Sequence, residues 1–280
     1  MPEITAREII KLNEVQERLV ISGWGKEVYD NSIVEAITYL SDGLKVKGFI
    51  AYPKEVIANQ KLPCIIWNRG GYQNHGAIDR FTARGIYGQI ASWGYVVFAS
   101  QYRGNAGGEG ADHIGGDDVN DIINLMKIAD EIPFADETRW GIEGWSRGGM
   151  MTLLTLIKEP KIKCAVLSGA VSNLKEIADL NEGQKVYYES ILGEKQLEKE
   201  MEKRSIINKV DRLPYIPYLI LHGSADKTVP PTQSIELAKK LQELKFTYRL
   251  IIFENGDHYL KAHRKETDRI RKMWFDKFLK

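Results

Sequence analysis

Two cysteines in 280 residues leave this chain almost nothing with which to staple itself. Cys64 and Cys164 both fall inside apolar runs, LPCIIW and KCAVLSG, where a free thiol behaves as a small hydrophobe. A disulfide framework is therefore not expected, and a cytoplasmic location is. Charge of one sign is missing too: 39 Lys plus Arg face 38 Asp plus Glu, a formal net charge of +1. Such a balance provides no field to gather nucleic acid or anionic lipid, so neither is expected as a partner. No apolar run approaches the roughly 18 residues a membrane helix needs. The opening, MPEITAREIIKLNEVQERLV, places Glu3, Arg7, Glu8 and Lys11 where a secretory signal requires an apolar core. Histidine is scarce as well, and the five present make a short roster of candidate general bases.

What is present suffices for one large core, with a 43% hydrophobic fraction. Residues 4 to 24 carry Ile9, Ile10, Leu12, Val15, Leu19 and Val20 near a helix period, predicting an N-terminal helical extension over 1–30 with a surface for a homo-oligomer contact. VEAITYLSDGLKVKGFIAYP then reads as an antiparallel hairpin about Ser41-Asp42-Gly43. From residue 63 the pattern changes to short, almost continuously apolar runs: 63–67, 95–100, 139–144, 163–169, 218–223 and 248–253. Strands of that kind are buried on both faces of a parallel sheet.

Helices predicted at 83–92, 117–130, 147–158, 232–243 and 264–279 alternate with them, the signature of repeated βαβ crossovers. The last should bury Ile270, Met273, Trp274, Phe275 and Phe278 as one stripe. Residues 171–213 break the alternation, being rich in Glu and Lys, and read as a small helical insertion or lid over the C-terminal edge of the sheet. The expected architecture is a catalytic α/β domain over 31–280, with a mostly parallel sheet flanked by helices.

Gly144-Trp145-Ser146-Arg147-Gly148 is a G-x-S-x-G element placed between the run WGIEG and the helix GMMTLLTLIKE. Strand, sharp turn, helix is the order a nucleophile elbow requires. Glycines two residues either side of the serine remove side chains that would strike the packed strand and helix, and Gly149 adds clearance. The helix start aims amide dipoles at developing negative charge, which makes the Arg147 amide the natural first oxyanion donor. A glycine turn of purely structural use is the bland alternative.

A serine hydroxyl needs a base, and the base needs an orienting partner. His258, in Asn255-Gly256-Asp257-His258-Tyr259, follows the run ending at Phe253 and should lie at the same sheet edge as Ser146. Asp226 follows the run YLIL, one strand earlier. The chain order Ser146, Asp226, His258 is that of the α/β-hydrolase fold. Among the rivals, His222 reads as a packed, hydrogen-bonded residue and His263 as part of the start of the last helix; His75 and His113 sit on loops upstream of the serine. Asp257 is too close in sequence to His258 to face its ring readily. Asp117, Asp118 and Asp121 begin a helix, where carboxylates offset the dipole, and no metal or cofactor is expected.

A second oxyanion donor is expected from Trp67-Asn68-Arg69-Gly70-Gly71-Tyr72, as an amide near Gly70 and Gly71 or as the Tyr72 hydroxyl. The loop from Tyr102 to Gly110 should border the same cleft, and lacks the ending of a phosphate loop. Trp145, Arg69 and Arg103 are the candidate substrate-binding side chains, Arg103 also being readable as an anchor for its own loop.

With these residues in view, the chain resembles the catalytic domain of the prolyl oligopeptidase family. The likeness runs through Tyr102-Arg103-Gly104, Asp117-Asp118, Asp136-Glu137-Thr138-Arg139-Trp140-Gly141-Ile142, Gly144-Trp145-Ser146-Arg147-Gly148-Gly149, Leu221-His222-Gly223, Asp226, Val229-Pro230 and Asp257-His258, covering about residues 45–280. It implies an α/β-hydrolase with Ser146, Asp226 and His258 as triad, acting on small peptides or, in relatives, on simple esters. Members that are oligopeptidases usually carry a β-propeller before this domain, for which the segment ahead of residue 63 is too short. The family's common Tyr or His before the first glycine pair is Arg69 here. Peptidase, carboxylesterase and a noncatalytic binding protein on the same fold are the three functional readings that remain.

Overall fold

The computed structural model describes residues 3–180 and 182–280. The chain divides into two compact units: Met1–Asp112 with Asn120–Gly141 and Leu279–Lys280, and His113–Val119 with Ile142–Phe278.

The first unit opens on a strand, β1 (Ile4–Ile9), followed by α1 (Glu14–Trp24) and α2 (Lys26–Asp30). This corrects the helix predicted from residue 4. β1 pairs antiparallel with β2 (Ser32–Ser41), and Arg7 forms an ion pair with Glu35 across the ladder. β2 pairs in turn with β3 (Leu44–Pro53) from Ser32↔Pro53 to Ser41↔Leu44. The two residues between them, Asp42 and Gly43, have φ of 51° and 83°, the positive values that a tight hairpin turn demands. β4 (Leu62–Asn68), α3 (Arg80–Ser92), β5 (Val96–Ser100), α4 (Val119–Lys127) and β6 (Ala135–Trp145) follow. β4 and β5 are buried at every position and pair in parallel, which is why they read as unbroken apolar runs.

β6 continues into the second unit, which contains α5 (Arg147–Lys158), β7 (Ile162–Ser168), α6 (Leu174–Leu180), α7 (Glu182–Leu192), α8 (Leu197–Arg204), β8 (Tyr218–Gly223), α9 (Thr232–Glu243), β9 (Tyr248–Phe253) and α10 (Arg264–Leu279). Hydrogen-bonded strand order is β1-β2-β3-β5-β4-β6 on one side of the shared strand and β6-β7-β8-β9 on the other. β7, β8 and β9 pair in parallel, so their C-terminal ends lie at one edge. The expected α/β fold with a mostly parallel sheet is borne out, with α6, α7 and α8 as the helical insertion.

Ile142, Leu153, Val166, Leu219 and Phe275 are among the core residues of this unit. α10 buries Ile270, Trp274 and Phe275, but Met273 faces outward at 54% exposure, because a position one residue before Trp274 turns off the apolar stripe. Among the described residues no helix is long and apolar enough to cross a membrane. Cys64 and Cys164 are buried and free.

α10 is also tied down by charge. Arg271 meets Glu143 of β6 through two contacts, Nε–Oε1 at 2.6 Å and Nη2–Oε2 at 2.8 Å, and both residues are buried. Arg271 also pairs with Asp268 within α10, Nη1–Oδ1 at 2.7 Å, so removing Glu143 leaves the buried guanidinium one carboxylate short in a medium that cannot solvate it. Glu143→Ala is expected to lower unfolding free energy by about 3–5 kcal/mol. The double replacement Glu143→Met with Arg271→Met should cost markedly less. Urea-denaturation midpoints of the three proteins check the ordering.

Candidate active site

Ser146 is the single residue between the end of β6 and the start of α5, and its backbone is at φ 57°, ψ −125°. A non-glycine residue in that region costs on the order of 1–3 kcal/mol and persists only where its surroundings over-determine it. Here they do. The Ser146 amide donates to the Ser168 carbonyl at 2.9 Å, and the Ser146 carbonyl accepts from the amides of Gly149 at 2.9 Å and Val171 at 3.2 Å. The turn is so tight that a Cβ on Gly144 would lie 2.0 Å from the carbonyl oxygen of Gly148. The first-turn amides of α5, that of Arg147 included, point back toward the helix N-terminus beside the serine.

The Arg147 side chain runs the other way, into the protein. Its Nη2 donates to Asp118 Oδ2 at 2.7 Å, and both residues are buried. The same oxygen accepts from the Gly115 amide at 3.2 Å. Asp118 thus does more than offset a helix dipole: it holds the guanidinium of the residue after the serine.

Asp226 lies three residues beyond β8 in a turn that its own carboxylate closes. Oδ1 accepts from the amides of Thr228 at 2.8 Å and Val229 at 2.9 Å. Oδ2 lies 2.7 Å from His258 Nδ1, with the carboxylate fully buried and the imidazole 9% exposed. Burial by itself would raise this carboxyl's pKa, but hydrogen bonds from His222, His258 and the Val229 amide, with the attraction of His258, more than offset it and hold the group well below the ordinary carboxylate range.

His258 sits on the loop after β9. Its main-chain carbonyl accepts from the Trp145 indole N–H at 3.1 Å, and Trp145 faces Tyr259 with ring centroids 6.1 Å apart. Trp145, flanking the serine, therefore braces the histidine loop. A carboxylate at Nδ1 fixes the proton there and leaves Nε2 as the acceptor.

Gly169 shows how close these parts lie. It follows Ser168, the partner of the Ser146 amide, and adopts φ 51°; a Cβ on it would stand 3.3 Å from His258 Nδ1 and 3.4 Å from Asp226 Oδ2. The His258–Asp226 pair thus lies against Gly169, the residue after the one whose carbonyl holds the Ser146 amide. Among the other histidines, His263 bonds the Glu254 carbonyl through Nε2, and His113 accepts from Arg204 through its own carbonyl. Asp257 caps its own turn by accepting from the Lys261 amide.

The residues expected to line the substrate from the first unit have other partners. Arg69 is 0% exposed, and its guanidinium donates to the carbonyls of Gln101, Gly70 and Gln73. Arg103, 5% exposed, is clamped by Asp121 and by Asp42 of the hairpin turn. For Arg103 these contacts are those of the loop anchor, the other reading of that residue, and in both side chains the donors are committed to protein carbonyls and carboxylates. Asp121 is likewise a partner of Arg103 and of the Ser41 hydroxyl, not merely a dipole-compensating residue. In the loop itself Gly71 has φ 69°, and Tyr72, 36% exposed, pairs with His75 through a short β-bridge and a ring contact at 5.4 Å.

The profile of the prolyl oligopeptidase family matches residues 86–280. A Bacillus subtilis (strain 168) protein named "Uncharacterized peptidase YtmA" is 31% identical over 237 residues, 84% of this chain and 88% of its own length. The chain belongs to the prolyl oligopeptidase family. It is thus a member of a serine-hydrolase superfamily built on the α/β-hydrolase fold. Mouse dipeptidyl peptidase 8 is 27% identical over 239 residues, 78% of this chain but 26% of that protein. The chain spans about a quarter of the length of this and several other curated relatives. The solved structure of Pyrococcus horikoshii acylaminoacyl peptidase superposes with a TM-score of 0.76 at 22% identity, over 89% of this chain and 42% of that one. A Mycobacterium tuberculosis puromycin-hydrolyzing peptidase gives 0.70 at 20% identity, over 89% and 46%. At such identities the likeness is one of fold.

Two outcomes test this geometry. Gly169→Ala forces a side chain into an unfavourable φ and against the His–Asp pair, so it is expected to reduce turnover by about 10²-fold, the cost of misplacing reacting groups by an ångström, while far-UV circular dichroism stays unchanged. The depressed Asp226 pKa also links to stability. Between the folded and unfolded values the unfolded chain binds more protons, so the contribution is complete above about pH 4 and fades as pH falls below it. Asp226→Asn should flatten the fall of the urea midpoint across that acid window.

Proposed function

We propose that this chain cleaves a peptide or small amide bond through an acyl-enzyme on Ser146. What supports the reading is a serine held at positive φ at a helix start, together with a buried His–carboxylate pair 2.7 Å apart. His258 Nε2 takes the hydroxyl proton as Oγ bonds to the substrate carbonyl carbon. Asp226 holds the ring and stabilises the imidazolium. The carbonyl oxygen, now an anion, is met by the Arg147 amide and the dipole of α5. Collapse breaks the C–N bond, and the imidazolium gives its proton to the departing amine. Water then enters by the same route: His258 removes its proton, the oxygen attacks the acyl carbon, and Oγ leaves with that proton.

Peptidase is favoured over carboxylesterase by the company the chain keeps, since the relatives and structural neighbours named above are themselves called peptidases. The buried free thiols of Cys64 and Cys164 fit a cytoplasmic enzyme.

Ser146→Ala is expected to lower kcat/KM by at least about 10⁴-fold and to abolish fluorophosphonate labelling without unfolding the chain. Undiminished labelling would remove Ser146 from the chemistry. Turnover of aminoacyl- and prolyl-amides alongside short-chain nitrophenyl esters separates the two activities: hydrolysis of esters alone would make the chain a carboxylesterase. A chain inert toward both whose cellular role survives Ser146→Ala would be the binding protein.

A further inference from the structure

His222 ends β8 and is fully buried. Its ring has a polar neighbour at each nitrogen. Nδ1 lies 2.6 Å from Ser234 Oγ on α9; Nε2 lies 2.9 Å from the Val229 carbonyl and 3.2 Å from Asp226 Oδ2. A carbonyl and an ionised carboxylate can only accept, so Nε2 must bear the proton, and Ser234 then donates its hydroxyl to Nδ1. The single Nε2 proton is thus shared between the Val229 carbonyl at 2.9 Å and Asp226 Oδ2 at 3.2 Å. A side chain that merely filled space between β8 and α9 would need none of this.

The consequence falls on the carboxylate oxygen that faces His258. The titratable groups facing Asp226 are His222 from β8 and His258 from the loop after β9, while its own turn supplies the amides of Thr228 and Val229 to Oδ1. Oδ2 is therefore approached by two imidazoles, one from each side. The amides on Oδ1 already fix the carboxyl plane, so what a second group on Oδ2 changes is the charge on that oxygen, which would otherwise act on His258 alone.

We infer that His222 is a positioning residue: by sharing its Nε2 proton with Asp226 Oδ2 it draws on the charge of that oxygen and tempers its hold on His258. The inference rests on the triad proposed above and adds a fourth side chain to it. Without the His222 donor the carboxylate binds the imidazolium more tightly, which alters how readily Nε2 takes and returns a proton.

The variants that separate position from bulk are His222→Gln, whose longer amide reaches the place of Nε2, and His222→Asn, whose shorter amide reaches only that of Nδ1. In His222→Asn, kcat is expected to fall by about 10²-fold with KM little changed, and the acid limb of the pH profile to move upward. The low-field proton resonance of the imidazole N–H shared with Asp226 should shift. His222→Gln should restore limb, rate and resonance toward the original. Ser234→Ala, which frees the ring from its α9 anchor while leaving the histidine, should move the resonance in the same direction as His222→Asn and keeps the test open if that variant does not fold. A resonance unmoved in every variant that folds, or a loss of rate in His222→Asn that His222→Gln does not relieve, would overturn the inference. The resonance needs no substrate. It still reads the role of His222 if the wild type hydrolyses nothing, an outcome that would instead defeat the proposed function.

Discussion

A carboxylate buried without solvent is the constraint around which the second unit is arranged. Taking such a charge out of water costs several kcal/mol, recovered only if its oxygens find donors of good geometry. Asp226 finds them in two amides of its own turn and two imidazoles. The turn after β8 must therefore close tightly enough to bring Thr228 and Val229 back onto Oδ1, and the loop after β9 must return His258 to Oδ2. Once those demands are met, the tautomer of His258 is no longer free. The chemistry available at the strand ends is thus a by-product of solvating one buried charge with protein groups in place of water.

The same logic recurs around the serine, with strain in the place of charge. Ser146 occupies a backbone conformation that no local preference supports, and three main-chain hydrogen bonds hold it there. Two come from outside its own turn, from Ser168 at the end of β7 and from Val171 just beyond. Arg147 then fixes the start of α5 from below by its bond to Asp118. Each of these contacts lies far apart in sequence and is short in space, so the position of the hydroxyl depends on the packing of β6, β7 and α5 together.

That division explains what could be read in the residues and what could not. β8, β9, α5, α9 and α10 were legible with their observed ends: β8, buried at every position, leaves an unbroken apolar run, β9 at the sheet edge keeps an apolar run although only Phe253 is buried, and the helices lie between such runs. β1 was not, because only Ile4 of its six residues is less than exposed. An edge strand with no buried face has no period-2 signature, and Ile9, Ile10 and Leu12 ran on into a true helix period. Ser146, Asp226 and His258 stood out because each follows an apolar run directly. Arg69 and Arg103 stood out as charges on glycine-rich loops, and only Arg103 was also legible as an anchor. A charged residue there looks available until its partner is known, and the partners Gln101 and Asp42 are set by the fold, not by spacing. His222 was legible as a packed residue, but its contact with Asp226 four positions later was not, because a turn, unlike a helix, does not announce which side chains it brings face to face.

The insertion after β7 is joined to the site more intimately than its composition suggests. Its first residue donates to the carbonyl of Ser146, its second bonds Gln233 of α9 through both amide and hydroxyl, and Ile207, near its far end, donates back to the Ser172 carbonyl. Arg204 at the end of α8 reaches the carbonyls of His113 and Ile114, just ahead of the Gly115 and Asp118 pair that holds Arg147. The start of the insertion and the end of α8 are therefore pinned to groups that hold Ser146 and Arg147 in place. A rigid-body swing of the whole segment would break the bond to the serine's own carbonyl, so movement compatible with an intact elbow is confined to the helices between Leu174 and Arg204.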